Sequence, residues 1–142
     1  MNDSTKSDMT VAGVALRFGI VALTLGTAYI HSTLGGLLFT LNAAGYAVAA
    51  IAMVIPLALA VRFRWVIRLG LMGYAATAIV MWAIQGPYYS TAYIAKAIEV
   101  ALIITLAVDF ARHDGNPVAV VRRELASFLS LVNGRGTAAA GA

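Results

Sequence analysis

The stretch that decides the fold is TAYIAKAIEVALIITLAVDF, residues 91–110. A run of this length matches an α-helix that crosses the roughly 30 Å hydrocarbon core of a bilayer. Lys96 and Glu99 interrupt the apolar run three residues apart, so their side chains are neighbours on a helix. Because a charge at the bilayer centre costs roughly 2.5–3.5 kcal/mol, we expect Glu99 to be protonated or paired with Lys96, whose long stem could also reach the interface.

The whole chain has the composition of a membrane protein. It is 61% apolar and 11% charged over 142 residues, and its mean hydropathy is +0.87. Soluble domains are about 45–50% apolar and about 25% charged. The sequence contains no cysteine, which excludes disulfides and thiolate metal sites among these residues. The net charge of +4 comes from basic residues beside the apolar segments, so the bilayer is the expected partner and nucleic acid is not.

Four apolar segments are long enough to span a bilayer, and the links between them are short. Continuous apolar runs predict helices and not barrel strands, and short links predict antiparallel neighbours. The predicted fold is all-α: a transmembrane four-helix up-down-up-down bundle with a C-terminal amphipathic interfacial helix. The predicted spans are 11–30, 34–61, 65–84 and 91–111, and Pro56 is expected to kink the second span or mark its inner end. The predicted divisions are a polar cytoplasmic tail (1–10), the transmembrane domain (11–111), a cytoplasmic amphipathic helix (112–133) and a disordered tail (134–142).

Basic residues predict the orientation. They flank the second link and follow the fourth span, whereas HSTLGG (31–36) and QGPYYS (85–90) contain no Lys or Arg. By the positive-inside rule, we expect a multi-pass protein with both termini cytoplasmic. The expected location is the bacterial inner membrane. The residues predicted to lie at the membrane surface are Arg62, Arg64, Arg68, Arg122 and Arg123.

The amphipathic pattern after Pro117 predicts a helix on the cytoplasmic leaflet. The apolar residues that share one face at 100° per residue are Val118, Val121, Leu125, Phe128, Leu129 and Val132. Packing of that face against a partner subunit is the alternative.

Polar side chains concentrate in the outer half of the predicted bundle, while the inner half is nearly all Ala, Val, Ile and Leu. One interpretation is a ligand or proton pocket formed by His31, Asn42, Lys96 and Glu99. Its expected secondary lining is Thr27, Thr40, Tyr46, Thr77 and Tyr93. The other interpretation is a buried polar network that only fixes helix register, and the two weigh about equally for Glu99. At the inner end, Asp109 and Arg112 are expected to form a local pair.

Small residues four apart form a stripe on the first span: Ala15 and Gly19, then Ala22 and Gly26. Such spacing lets another helix approach closely, either within the chain or from another subunit.

Two stretches, YIHSTLGGLLFTLNAAGY (29–46) and GPYYSTAYIAKAIEVALII (86–104), resemble segments of small, uncharacterised four-helix membrane proteins of bacteria. The resemblance covers the two outer links and their flanking helices and implies no known activity. It implies that His31, Asn42, Lys96 and Glu99 belong to the pattern of that family.

No nucleophile elbow, zinc-protease motif or phosphate-binding loop occurs, so we expect no enzyme, no catalytic residue, no cofactor and no metal. The leading hypothesis is a structural or accessory component of a membrane assembly. One alternative is an oligomeric carrier or channel module in which Glu99 titrates. The other is a lipid- or quinone-binding membrane protein. Other membrane subunits or further copies of the chain are the partners expected besides lipid.

Overall fold

The computed structural model describes residues 11–139, and six helices occupy nearly all of that part of the chain. In order they are α1 (Val11–Thr33), α2 (Leu37–Val54), α3 (Ala58–Arg62), α4 (Arg64–Gln85), α5 (Ser90–His113) and α6 (Pro117–Ala139). No strand occurs in this range, which confirms the all-α prediction there. The predicted tail 1–10 and the last residues, 140–142, lie outside the described residues.

Three helices, α1, α2 and α4, are long and apolar enough to cross a membrane. They indicate a membrane protein. The fourth predicted span, now α5, is not among the three, and it carries Lys96, Glu99, Asp109 and Arg112.

The second predicted span ends early, at Pro56. Helix α2 stops at Val54, and Ile55 is extended, with φ −63° and ψ 128°. Proline lacks an N–H and disfavours helical backbone in the residue before it, so the chain leaves the helix at Ile55 and restarts as the short α3. The prediction that Pro56 marks an end of the helix is confirmed, but the single helix expected over 34–61 is wrong.

Four helices enclose the core. Helix α1 packs most extensively on α2 and next on α5, α4 packs on α5, and α2 and α4 touch less. The chain therefore forms two helical hairpins, α1–α2 and α4–α5, that meet along α1 and α5. The core residues come from all four: Ile20, Ala28, Tyr46, Met53, Leu71, Ala75, Leu102 and Leu106.

Helix α6 is capped at its first turn, and its apolar face is exposed. The Asn116 side chain accepts the Val118 N–H at 2.9 Å, a standard N-terminal cap, and Val120 is buried. The predicted apolar face lies on the other side of the helix, and its residues are exposed: Val118, Val121, Leu125, Phe128 and Leu129. The helix runs to Ala139, so residues 134–139 are helical where a disordered tail was expected.

The small-residue stripe of α1 is not used inside the described chain. A Cβ added to Gly19 or Gly26 would meet no heavy atom within 4 Å. The close helix approach that the spacing predicts is therefore not made between α1 and its neighbours in residues 11–139.

Candidate functional site

Glu99 is the centre of a buried polar group formed by three helices. Its side chain is fully buried. Lys96 Nζ, one turn earlier on α5, donates to Oε2 at 2.7 Å, and the buried Tyr46 hydroxyl of α2 donates to Oε1 at 3.3 Å. His31 Nε2 of α1 lies 3.7 Å from the same Oε1. The expected pairing of Glu99 with Lys96 is present, and it supplies the counter-charge that a buried carboxylate requires.

The His31 ring has one nitrogen whose proton can be assigned from geometry. Nδ1 lies 2.9 Å from the Thr27 carbonyl oxygen, which can only accept, so Nδ1 carries a proton. Nε2 then presents a lone pair to Glu99 Oε1 unless a second proton lies on the imidazole or on the carboxyl. One added proton would change this contact from repulsive to attractive.

Lys96 connects α5 to α4 in addition to pairing with Glu99. Its ammonium donates to the Ala78 carbonyl of α4 at 3.3 Å in addition to Glu99. The side chain is only 12% exposed, so it does not extend into the surroundings. Lys96 therefore forms a local pair with Glu99 and does not extend away from the helices.

A cavity of about 380 Å³ lies where α2 and α4 separate. We call it the α2–α4 cleft. Its walls are mainly apolar and aromatic, and the polar groups His31, Asn42, Thr77, Gln85 and Lys96 are spaced around it. The remaining lining residues are Leu34, Leu38, Phe39, Leu41, Tyr74, Ala78, Met81, Trp82, Gly86, Pro87, Tyr89, Ala92 and Ala95. Leu38, Leu41 and Met81 are exposed, so the cleft opens to the surroundings between these two helices.

Gly45 explains how one aromatic wall of the cleft is placed. The Tyr74 hydroxyl would lie 2.8 Å from a Cβ built on Gly45, so any side chain at position 45 would force the ring to shift from its place against α2. There the hydroxyl donates to the Asn42 carbonyl at 3.5 Å. The Tyr74 ring packs edge-on against Tyr46, with centroids 4.9 Å apart. The ring therefore joins the cleft wall to the Glu99 group.

The structure brings together most of the predicted pocket residues, in two adjoining places. His31 and Lys96 line the cleft and also contact Glu99, while Asn42 and Thr77 line the cleft only. Glu99 is not part of the cleft lining and lies behind Lys96 and His31. Tyr46 contacts Glu99 directly.

Three of the expected secondary lining residues lie elsewhere. Thr40 is exposed, and its hydroxyl bonds to Gly36 of its own helix at 3.1 Å, so its predicted lining role is wrong. Tyr93 is 55% exposed and packs against Trp82, but Tyr93 itself does not line the cleft. Its predicted lining role is therefore also wrong. Thr27 is fully buried beneath His31, and its hydroxyl has no partner among the described residues.

A second buried ionic group lies at the opposite ends of α4 and α5, where an apolar region was expected. Arg68 is 3% exposed, and its guanidinium donates to Asp109 Oδ2 at 2.6 Å and to Asp114 Oδ2 at 2.7 Å. His113 Nδ1 lies 3.2 Å from Asp109 Oδ1. Arg68 is therefore buried between helices and is not an exposed basic side chain, and Asp109 pairs with Arg68 instead of with Arg112.

A signal for this second group was present in the sequence. Arg68 lies four residues after the start of α4, and Asp109 lies four residues before the end of α5. In antiparallel neighbours these positions have the same depth. Two ionisable residues at matching depth on adjacent apolar helices predict an interhelical pair.

Comparison with known proteins adds no relative: no protein-family model, curated protein or solved structure matches the chain. Within residues 11–139, no three His, Asp or Glu side chains converge as a set of metal ligands.

Proposed function

We propose that the protein binds an amphipathic molecule from the lipid phase in the α2–α4 cleft. The observation that supports this function is the cleft itself, a cavity of about 380 Å³ with apolar and aromatic walls and with Lys96 and His31 among its few polar groups. Ligand sites in proteins are typically concave, have volumes of about 300–1,000 Å³ and use a few polar groups to orient the ligand. A membrane lipid and a lipid-soluble quinone both fit this description.

The proposal places the cleft in a bilayer. Helices α1, α2 and α4 would cross it, and α5 would be the fourth helix of an up-down-up-down transmembrane bundle. Pairing of Glu99 with Lys96 and of Asp109 with Arg68 supports this, because paired charges can enter a low-dielectric interior that unpaired charges avoid. Both termini would be cytoplasmic at the bacterial inner membrane, and the cleft would open in the outer half.

Single-cysteine labelling tests this topology. The sequence has no cysteine of its own, so Ser90→Cys and Arg62→Cys each carry one thiol. We expect a membrane-impermeant maleimide to label Ser90→Cys in intact cells and to label Arg62→Cys only after the cells are opened. The reverse pattern would overturn the orientation.

Helix α6 would lie on the cytoplasmic leaflet. Its exposed apolar face, which no described part of the chain covers, would enter the interface, and Arg122 and Arg123 would approach anionic headgroups.

Blocking the cleft tests the proposed function. Thr77 lines the cleft and is exposed, and its hydroxyl bonds only to Gly73 of its own helix, so Thr77→Phe would fill the cavity without removing a contact between helices. Thr40→Phe is the matched control, because Thr40 is also exposed and bonded within its own helix but lies outside the cleft. We expect gently extracted wild-type protein and Thr40→Phe to retain one amphiphile, detected by native mass spectrometry, and Thr77→Phe to lose it.

Two results would contradict the proposal. One is wild-type protein that carries no small molecule in any of several mild detergents. The other is equal occupancy in Thr77→Phe and wild type.

An accessory role in a membrane assembly is the second candidate. The supporting observation is the outward-facing stripe of α1, where Gly19 and Gly26 leave open space that a helix of another subunit could enter. Co-purification of a stoichiometric second protein, lost in Gly19→Leu, would favour it. The carrier hypothesis has less support, because the Glu99 carboxylate is fully buried and does not border the cleft.

A further inference from the structure

We infer that the headgroup held in the α2–α4 cleft is uncharged and accepts a hydrogen bond from Lys96 through a carbonyl oxygen. The assignment rests on the proposed binding of an amphiphile and names its chemical class: a lipid-soluble molecule with a neutral carbonyl group. A quinone ring and the acyl ester of a neutral glyceride both supply that group.

The first step is the donor count at Lys96. An ammonium carries three N–H groups. Two of them have acceptors in the described chain: Glu99 Oε2 at 2.7 Å and the Ala78 carbonyl at 3.3 Å. Lys96 also borders the cleft, so one N–H is available to a molecule held there.

The second step is the charge of the site. Glu99 directly behind Lys96 neutralises the ammonium, and no other acidic or basic side chain lines the cleft except His31. Apart from His31, the ionisable side chains at the site therefore balance one another. An anionic headgroup would be desolvated there without an unpaired cation to compensate it, whereas a neutral carbonyl needs only the available N–H.

The third step is the shape of the walls beside Lys96. Tyr74 and Trp82 of α4 and Phe39 of α2 bring aromatic rings to the cleft. Flat or apolar groups pack well on such rings. The opening between Leu41 and Met81, both exposed, gives an attached hydrocarbon chain a way out between α2 and α4.

A panel of three amphiphiles tests the headgroup. The probes are decylubiquinone, which carries ring carbonyls, 1-monooleoylglycerol, which carries a neutral ester, and oleate, which is anionic. Binding is followed by the fluorescence of Trp82, which lines the cleft, in a Trp65→Phe variant that removes the only other tryptophan. The buffer is held at about pH 8 for all three probes, where a carboxylic acid in water is ionised.

We expect at least one neutral probe to bind on the order of tenfold more tightly than oleate, because the carboxylate of oleate loses more hydration on entering the cleft and finds no unpaired cation there. Stronger response to the quinone identifies a ring carbonyl, and stronger response to the glyceride identifies an ester. Oleate binding as tightly as both neutral probes would overturn the headgroup assignment while leaving amphiphile binding intact. No response to any probe, together with no effect of Thr77→Phe, would overturn the proposed function itself.

A pair of double variants tests the role of Lys96 independently. The variant that combines Lys96→Gln with Glu99→Gln removes both charges but keeps an N–H donor at position 96. The variant that combines Lys96→Met with Glu99→Gln removes both charges and the donor. Both remove the ion pair together, so neither leaves an unpaired buried charge. We expect the methionine variant to bind the preferred neutral probe on the order of tenfold more weakly than the glutamine variant. Equal affinity in two variants with the same helical content would show that Lys96 does not contact the headgroup.

Discussion

Replacing Arg68 by methionine should strongly destabilise the fold where the start of α4 packs against the end of α5. Methionine keeps much of the length of the side chain but removes its charge and donors. Asp109, fully buried, would lose the guanidinium at 2.6 Å and keep only the His113 ring at 3.2 Å. Removing one partner of a buried ion pair costs about 3–5 kcal/mol, because the other charge stays buried without compensation.

Two further variants separate the contributions of the two aspartates. Asp114 retains 19% of its exposure, and Arg68 keeps Asp109 when Asp114 is changed, so Asp114→Asn should cost only about 1 kcal/mol. Arg68→Met combined with Asp109→Leu removes both buried charges and should recover most of the stability that Arg68→Met loses.

The assay is reversible unfolding in mixed micelles, with the helical signal followed as the denaturing detergent is raised. We expect an order of stability in which wild type and the double variant lie close together, Asp114→Asn lies slightly below them and Arg68→Met lies far below. A loss in Arg68→Met no larger than that in Asp114→Asn would refute it. So would a double variant that is less stable than Arg68→Met alone.

Two smaller predictions concern the neighbourhood of Glu99, and both can be measured in the same assay. Tyr46→Phe removes the hydroxyl that donates to Glu99 at 3.3 Å and should cost about 0.5–1.5 kcal/mol; unchanged stability would mean that the bond contributes nothing. Gly45→Ala places a Cβ 2.8 Å from the Tyr74 hydroxyl and should cost about 1–3 kcal/mol as the ring is displaced. Gly70→Ala is its control, because a Cβ there meets nothing within 4 Å, and it should be neutral or stabilising by up to about 1 kcal/mol.

The local part of the site could be predicted from the sequence. Lys96 and Glu99 are three residues apart, and any helix places such side chains together, so their pair follows once the segment is recognised as helical. The end of α2 beside Pro56 follows in the same way from the missing N–H and the restricted residue before it.

The rotation of each helix about its axis could not be predicted from the sequence. The wrong predictions of lining residues follow from this. Helix α2 is apolar nearly all round, with Ala, Leu and Val on every side, so no face is marked as buried. Thr40 and Tyr46 were therefore assigned to the same pocket, although one is exposed and the other is fully buried against Glu99. The pair of Arg68 and Asp109 is different, because the short link between α4 and α5 already indicates that these helices are adjacent and antiparallel.

The same adjacency decides how the molecule can deform. Lys96 joins α5 to the Ala78 carbonyl near one end of the α4–α5 hairpin, and Arg68 joins the two helices near the other. A hairpin fastened at both ends resists internal sliding, so it moves as one rigid arm. Because α2 packs on α4 less than α1 packs on α5, we expect the easiest motion of the fold to be a rotation of the two arms about the line where α1 meets α5. Such a rotation would change the width of the α2–α4 cleft while leaving the core of each arm intact.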